Sequence, residues 1–146
     1  MIKTIYQIQT SSNFVTYDFI SEGKKGEILK EVRYTETEFL NVWNLGFGDI
    51  DPKTGIINDK IISDNGDSEK VLATVAHTCI EFSKHFPEAM IFAVGSTPAR
   101  TRLYQMGLTR NFNEISELFI IWGLLKEGWE IFEKNKNYQA LLVKRK

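Results

Sequence analysis

The sequence predicts an α+β (α/β) domain: a mixed, mostly antiparallel sheet of roughly six to seven strands, one long helix (about 68–86) and one shorter helix (about 98–107). Three observations predict it. Between residues 14 and 49, apolar and polar side chains alternate at period two, as in half-buried strands. From Ser68 to Phe86, Val71, Leu72, Val75, Ala76, Cys79, Ile80 and Phe86 recur at helical spacing. After Pro87 comes the unbroken apolar run Ala89–Val94, then the turn Gly95-Ser96-Thr97, then Pro98 where a first helical residue tolerates proline.

Taken in order, residues 1–13 are mixed and read as a short strand or arm. Val15, Tyr17 and Phe19 mark one strand face, and Ile28, Val32 and Tyr34 another. The stretch Ser21–Gly26 between them has glycine near one end and at the other, so the pair reads as a hairpin. Phe39, Trp43, Leu45 and Phe47 fall on one face of the next strand, with Gly46 and Gly48 on the other, where the missing side chain leaves room for an approaching group. Asp49–Gly55 reads as a hairpin turn into a strand at 56–62; Lys53 inside it argues against a calcium loop, and Asp49 and Asp51 are solvated turn residues.

The long helix carries Glu69 in its first turn and Lys84 and His85 in its last, as the helix dipole favours. Strand 56–62, this helix and strand 89–94 form a βαβ unit in this reading. The second helix turns Ala99, Leu103 and Met106 inward and stops near Gly107. Asn111–Glu117 is a short helix or a continuation. Leu118–Leu125, like 89–94, lacks alternation and reads as covered on both faces. Trp129–Glu133 and Tyr138–Lys144 read as a closing hairpin.

Composition bounds what such a domain does. A chain of 146 residues with 42% apolar and 12% aromatic content supports a packed core in one domain, 1–146. A formal net charge of −1 gives no global pull toward nucleic acid or acidic membranes. No apolar run approaches a membrane span, and the single Cys79 suits a reducing compartment, so the expectation is cytoplasmic. Two histidines and one cysteine assemble no metal constellation, and His77 reads as a packed residue.

The sharpest local anomaly lies at 95–102. A helix N-terminus carries partial positive charge and usually recruits Asp or Glu. This one holds Arg100 and Arg102, with no acidic residue until Glu114. Gly95, Ser96, Thr97, Arg100 and Arg102 together read as an anion pocket in which backbone N–H groups, hydroxyls and guanidinium groups meet a phosphate or carboxylate.

Two resemblances bear on this reading. The element order and the helix segment Ala99–Leu108, ARTRLYQMGL, resemble the GNAT-type acyltransferases. That resemblance implies an acyl-coenzyme A-dependent N-acyltransferase with acetyl-coenzyme A as cofactor and Tyr104 as the general acid that protonates the departing thiolate. The stretch that would grip the coenzyme pyrophosphate, Ser63–Lys70, instead has one glycine with Asp64, Asp67 and Glu69 facing the phosphate. The chain also resembles an uncharacterised family of small bacterial proteins that share its GSTPARTRLYQ core and NKNYQALLVKR ending, a likeness that implies no function.

Three readings follow. The first is a domain binding a small anionic ligand or a protein partner at 95–102. The second is the acyltransferase. The third is an RNA-interacting toxin–antitoxin component, in which Arg100, Arg102 and Arg110 join Lys144, Arg145 and Lys146 and a tryptophan stacks on bases. A membrane partner is not expected, nucleic acid is the weakest of the partners, and self-association as a homodimer through an uncovered sheet edge is left open.

Overall fold

The structure, a computed structural model, describes residues 4–58 and 63–146. Among these, nine strands and three helices occur. In chain order they are β1 (Gln9–Thr10), β2 (Thr16–Gly23), β3 (Gly26–Glu36), β4 (Val42–Ile50), β5 (Ile57–Asn58), α1 (Ser68–His85), β6 (Met90–Ala93), α2 (Pro98–Arg110), α3 (Phe112–Leu118), β7 (Phe119–Leu125), β8 (Gly128–Ile131) and β9 (Ala140–Arg145). The sheet order is β1-β2-β3-β4-β6-β9-β7-β8, with β5 on β4.

The antiparallel half follows from local pattern. Lys24 and Lys25 connect β2 to β3, and Gly26 supplies the positive φ of +86° that this tight turn needs. Tyr17, Phe19, Val32, Tyr34, Leu45 and Phe47 alternate onto one face and are buried there. Phe39 does not join them. It lies 66% exposed in the β3–β4 connection, before β4 begins at Val42. Asp51–Gly55 closes the β4–β5 hairpin as expected, with the Asp51 carboxylate accepting from Lys53 N at 2.8 Å.

Helix α1 lies against the apolar face. Phe82 stacks on Tyr34 (centroids 4.1 Å apart) and Phe86 (4.8 Å), with Trp43 edge-on at 5.2 Å. The buried surface of α1 also includes Thr74, Thr78 and Ser83. Each hydroxyl returns a hydrogen bond to a backbone carbonyl of its own helix, so these positions bury no unmet donor. Residues from all three helices and from β4, β6, β7 and β9 line one apolar cavity of about 70 Å³, which sets the helices on a single face of the sheet.

Several expectations are corrected. The parallel pair bridged by α1 is β4 with β6, not the segment 56–62 with 89–94; β5 pairs antiparallel with β4, and 59–62 lie outside the described residues. Strand β9 does not pair with β8: it inserts between β6 and β7, while β8 pairs with β7. The helices cover one face of β6 and β7; on the other, Ile120 is exposed and Met90, Phe92 and Trp122 are half-buried. Helix α2 continues past Gly107 to Arg110, and it buries Arg100, Thr101, Gly107 and Leu108 rather than Ala99, Leu103 and Met106. Gly107 lies inside the helix where α1 packs closely: a Cβ would lie 3.1 Å from Leu72 Cβ, a tight contact that Leu72 would have to yield to.

Candidate functional site

Strand β6 ends at Ala93, and the chain turns sharply through Val94–Thr97 into α2. Two hydrogen bonds fix the turn. Gly95 N donates to Thr101 Oγ1 at 2.8 Å, and Thr97, in extended backbone as the N-cap, accepts from Arg100 N at 3.2 Å through its hydroxyl. Pro98 follows at the head of the helix, and the first turn holds no acidic residue.

A groove runs beside this turn. Gly95, Ser96, Thr97 and Arg102 line one wall, and Asn137 and Gln139 the other. Gln105 spans its floor: its Oε1 accepts from Tyr138 N at 3.1 Å and its Nε2 donates to Lys136 O. The far wall is held from behind as well. Tyr138 donates its hydroxyl to Glu130 Oε2 at 2.7 Å, and the hydroxyl oxygen itself accepts from Glu133 N at 2.9 Å. Burial and the neighbouring Glu130 carboxylate raise the phenol pKa, so it stays a donor.

The structure brings together Gly95, Ser96, Thr97 and Arg102. It does not bring Arg100 or Tyr104 to the same wall. Arg100 is 3% exposed and turns under the sheet, where Nη2 donates to Phe47 O and the guanidinium lies 5.4 Å from the Phe47 ring centre. Tyr104 is half-buried and lines the apolar cavity with Cys79, Leu45 and Ala93. Burial pushes the Cys79 thiol up to about 11, which leaves it protonated and inert at neutral pH.

Sequence reasoning missed the polar groups behind the turn. Lys30 occupies a core-facing position of β3, its side chain 5% exposed, and its Nζ meets Asp49 Oδ1 at 2.6 Å and Ser63 Oγ at 2.8 Å. Asp49 is therefore a strand residue with a buried partner, not a solvated turn residue. Lys30 Nζ also lies 5.7 Å from the centre of the Phe47 ring, so one aromatic ring serves two cations. The cross-strand register Lys30↔Asp49 was the available signal, and it depends on pairing that local pattern does not state.

The N-terminus of α1 is occupied from within. Asp67 Oδ2 accepts from the hydroxyls of Tyr6 and Ser21, each at 2.5 Å. Buried Asn65 ties this corner to the β2–β3 hairpin, donating to Gly26 O (2.9 Å) and Ser21 Oγ (3.0 Å) and accepting from Lys25 N (2.6 Å). A Cβ on Gly23 would lie 1.9 Å from Asn65 O, so glycine permits the docking. An anion already sits where the helix dipole favours one.

On the face away from the helices, Asp18 and Glu31 are cross-strand neighbours, and Glu31 Oε1 accepts from Arg33 at 2.9 and 2.6 Å. Burial, then the Glu31 charge, holds the Asp18 carboxyl above the usual range. The basic residues of the third reading are not gathered. Arg145 donates to Ser83 Oγ (2.9 Å) and Ile80 O (3.1 Å), fastening β9 to α1, while Arg110 lines a separate depression beside Glu69 and Glu114.

Fold and groove thus define an α+β domain whose mixed sheet is backed by three helices, with a polar cleft at the head of the second. The chain belongs to a family of unknown function, DUF6934, whose model matches residues 3–146. No curated protein and no solved structure matches it. No helix among the described residues is long and apolar enough to cross a membrane.

Proposed function

We propose that the domain binds a small anion, a phosphate or carboxylate carried by a ligand or a protein partner, in the groove at the head of α2. The observation that carries this reading is the coincidence of a helix N-terminus lacking any first-turn acid with Arg102 and two hydroxyl residues on one groove wall. Arg102 is the charged contact; Ser96 and Thr97 are the neutral ones. Arg100 acts behind the wall as a positioning residue, since it anchors the first turn of α2 to Phe47 of β4.

Titration of wild type and Arg102→Ala with inorganic phosphate and with a nucleoside monophosphate tests it. Loss of one charge-assisted contact weakens binding about tenfold or more. Equal affinity in both proteins, or no binding in either, rejects the reading.

One observation favours a second reading, the acyl-coenzyme A-dependent N-acyltransferase. Strands β4 and β6 pair only from Val42↔Met90 to Leu45↔Ala93; β6 ends there and the chain turns into α2, while β4 runs on to Ile50 and meets β5 only at Asp49 and Ile50. A strand edge left without a neighbouring strand over Gly46–Gly48 is a place for an extended ligand, but Arg100 already donates to Phe47 O there. Against it stand the Asp67 carboxylate at the head of α1 and the position of Tyr104 on the apolar cavity. Acetyl-coenzyme A at a hundred times its dissociation constant would add about 2.7 kcal/mol of stability, so an unchanged melting temperature at millimolar coenzyme removes this reading.

A further inference from the structure

We infer that two copies of this chain associate through the helix-free face of β6, β9, β7 and β8, each inserting its β3–β4 tip against the other's face. Alternation along these strands sends Phe92, Leu142, Ile120, Trp122, Trp129 and Ile131 to the side away from the helices. Ile120, Trp129 and Ile131 are 38, 44 and 62% exposed, and Trp129 meets Phe92 edge-on at 6.1 Å. The same face on β2 and β3 carries Asp18, Glu31 and Arg33, as expected of a sheet surface that faces water, beside a single exposed apolar pair, Ile20 and Leu29. The apolar half breaks that rule across four strands.

The second feature is the tip itself. Phe39 and Leu40 stand side by side, 66 and 89% exposed, in a connection whose other residues include Glu38 and Asn41. The tip adjoins the apolar face, since Val42 pairs with Met90, Met90 with Lys144, and Lys144 with Ile120. A molecule that carries both an apolar knob and an uncovered apolar face fits a two-fold partner, because such symmetry makes knob meet face twice. Charge agrees: Lys144 is the one charged side chain that these four strands turn to this face, and Glu38 flanks the knob. Four strands about 4.8 Å apart and about 15 Å long present on the order of 300 Å² in projection. Two protruding side chains per copy add to this, which makes a patch the size of the largest on a typical monomer and smaller than a permanent interface, so the association is a weak, micromolar one.

Sedimentation of the full chain from about 1 to about 100 µM tests the inference, since a micromolar dissociation constant shows in that range. The wild type is expected to pass from monomer to dimer. A knob variant, Phe39→Ser with Leu40→Ser, and a face variant, Ile131→Lys, are each expected to raise the dissociation constant about thirtyfold. Circular dichroism checks that each variant folds, and Trp129→Ser replaces Ile131→Lys if that one does not. A wild type that stays monomeric throughout the range, or a dimer that either variant leaves unchanged, overturns the inference.

Discussion

Replacing Lys30 by alanine should cost about 3–5 kcal/mol of folding stability, a large share of the roughly 5–15 kcal/mol typical of such a domain. The pair it breaks is short (2.6 Å), and both side chains are largely shielded, Lys30 more than Asp49. Such a pair gains little over an apolar replacement, because both ions were stripped of water to form it. Removing one partner is different: Asp49 keeps its desolvation and loses the cation that offset it. Ser63 loses its donor at the same time. The double variant Lys30→Met, Asp49→Leu should recover most of the loss. Denaturant midpoints for the two single variants and the double one form the check; a Lys30→Ala midpoint within error of wild type would show that the pair does not act as a buried ion pair. An effect on the groove should accompany the loss, since the Phe47 that Lys30 overlies also provides the carbonyl that holds Arg100.

What could be read from the sequence divides along physical lines. Helix α1 was legible to within a residue, because its apolar spacing, its first-turn Glu69 and the Pro87 that follows are all local signals. The Thr97 cap and Pro98 at the head of α2 were legible for the same reason. Strand neighbours were not. The insertion of β9 between β6 and β7 is decided by contacts far apart in sequence, and a short connection from β8 to β9 looks locally like a hairpin. The apolar runs of β6 and β7 read as doubly covered strands, yet one of their faces has no helix on it. Local charge misled most at Arg100. A guanidinium near a helix start suggests a solvent-facing group, but a carbonyl 53 residues earlier in the chain draws it inside. Lys30 went unseen for the same reason, its partner Asp49 being fixed by strand register. The candidate groove was therefore half legible: the turn residues stand where local grammar put them, and the arginine that braces the turn belongs to the core.

Gly95→Ala should be the most damaging small substitution at the groove, costing about 3 kcal/mol and abolishing phosphate binding if the anion reading holds. Its φ is not in the left-handed region, so the need for glycine is steric. A Cβ there would lie 2.3 Å from Arg100 Cβ, 2.5 Å from Thr101 N and 2.6 Å from Arg100 C, against a practical limit near 3.0 Å. Two of these obstacles are backbone atoms, so no rotamer change relieves them. The turn would have to lift away from α2, stretching the Gly95 N–Thr101 Oγ1 bond and the Thr97 cap together. Gly46→Ala on β4 is the matching control: its Cβ would meet only Arg33 O at 3.6 Å, an ordinary contact. It should change stability by less than about 1 kcal/mol, with the reduced freedom of the unfolded chain acting in its favour. Denaturant midpoints for the two variants give the comparison. Equal stability would mean that the turn does not press against the helix as closely as these distances require. Loss at Gly95 alone would establish that the groove wall is built by contact between backbone and backbone, so that whatever ligand it takes meets a surface already in place before binding.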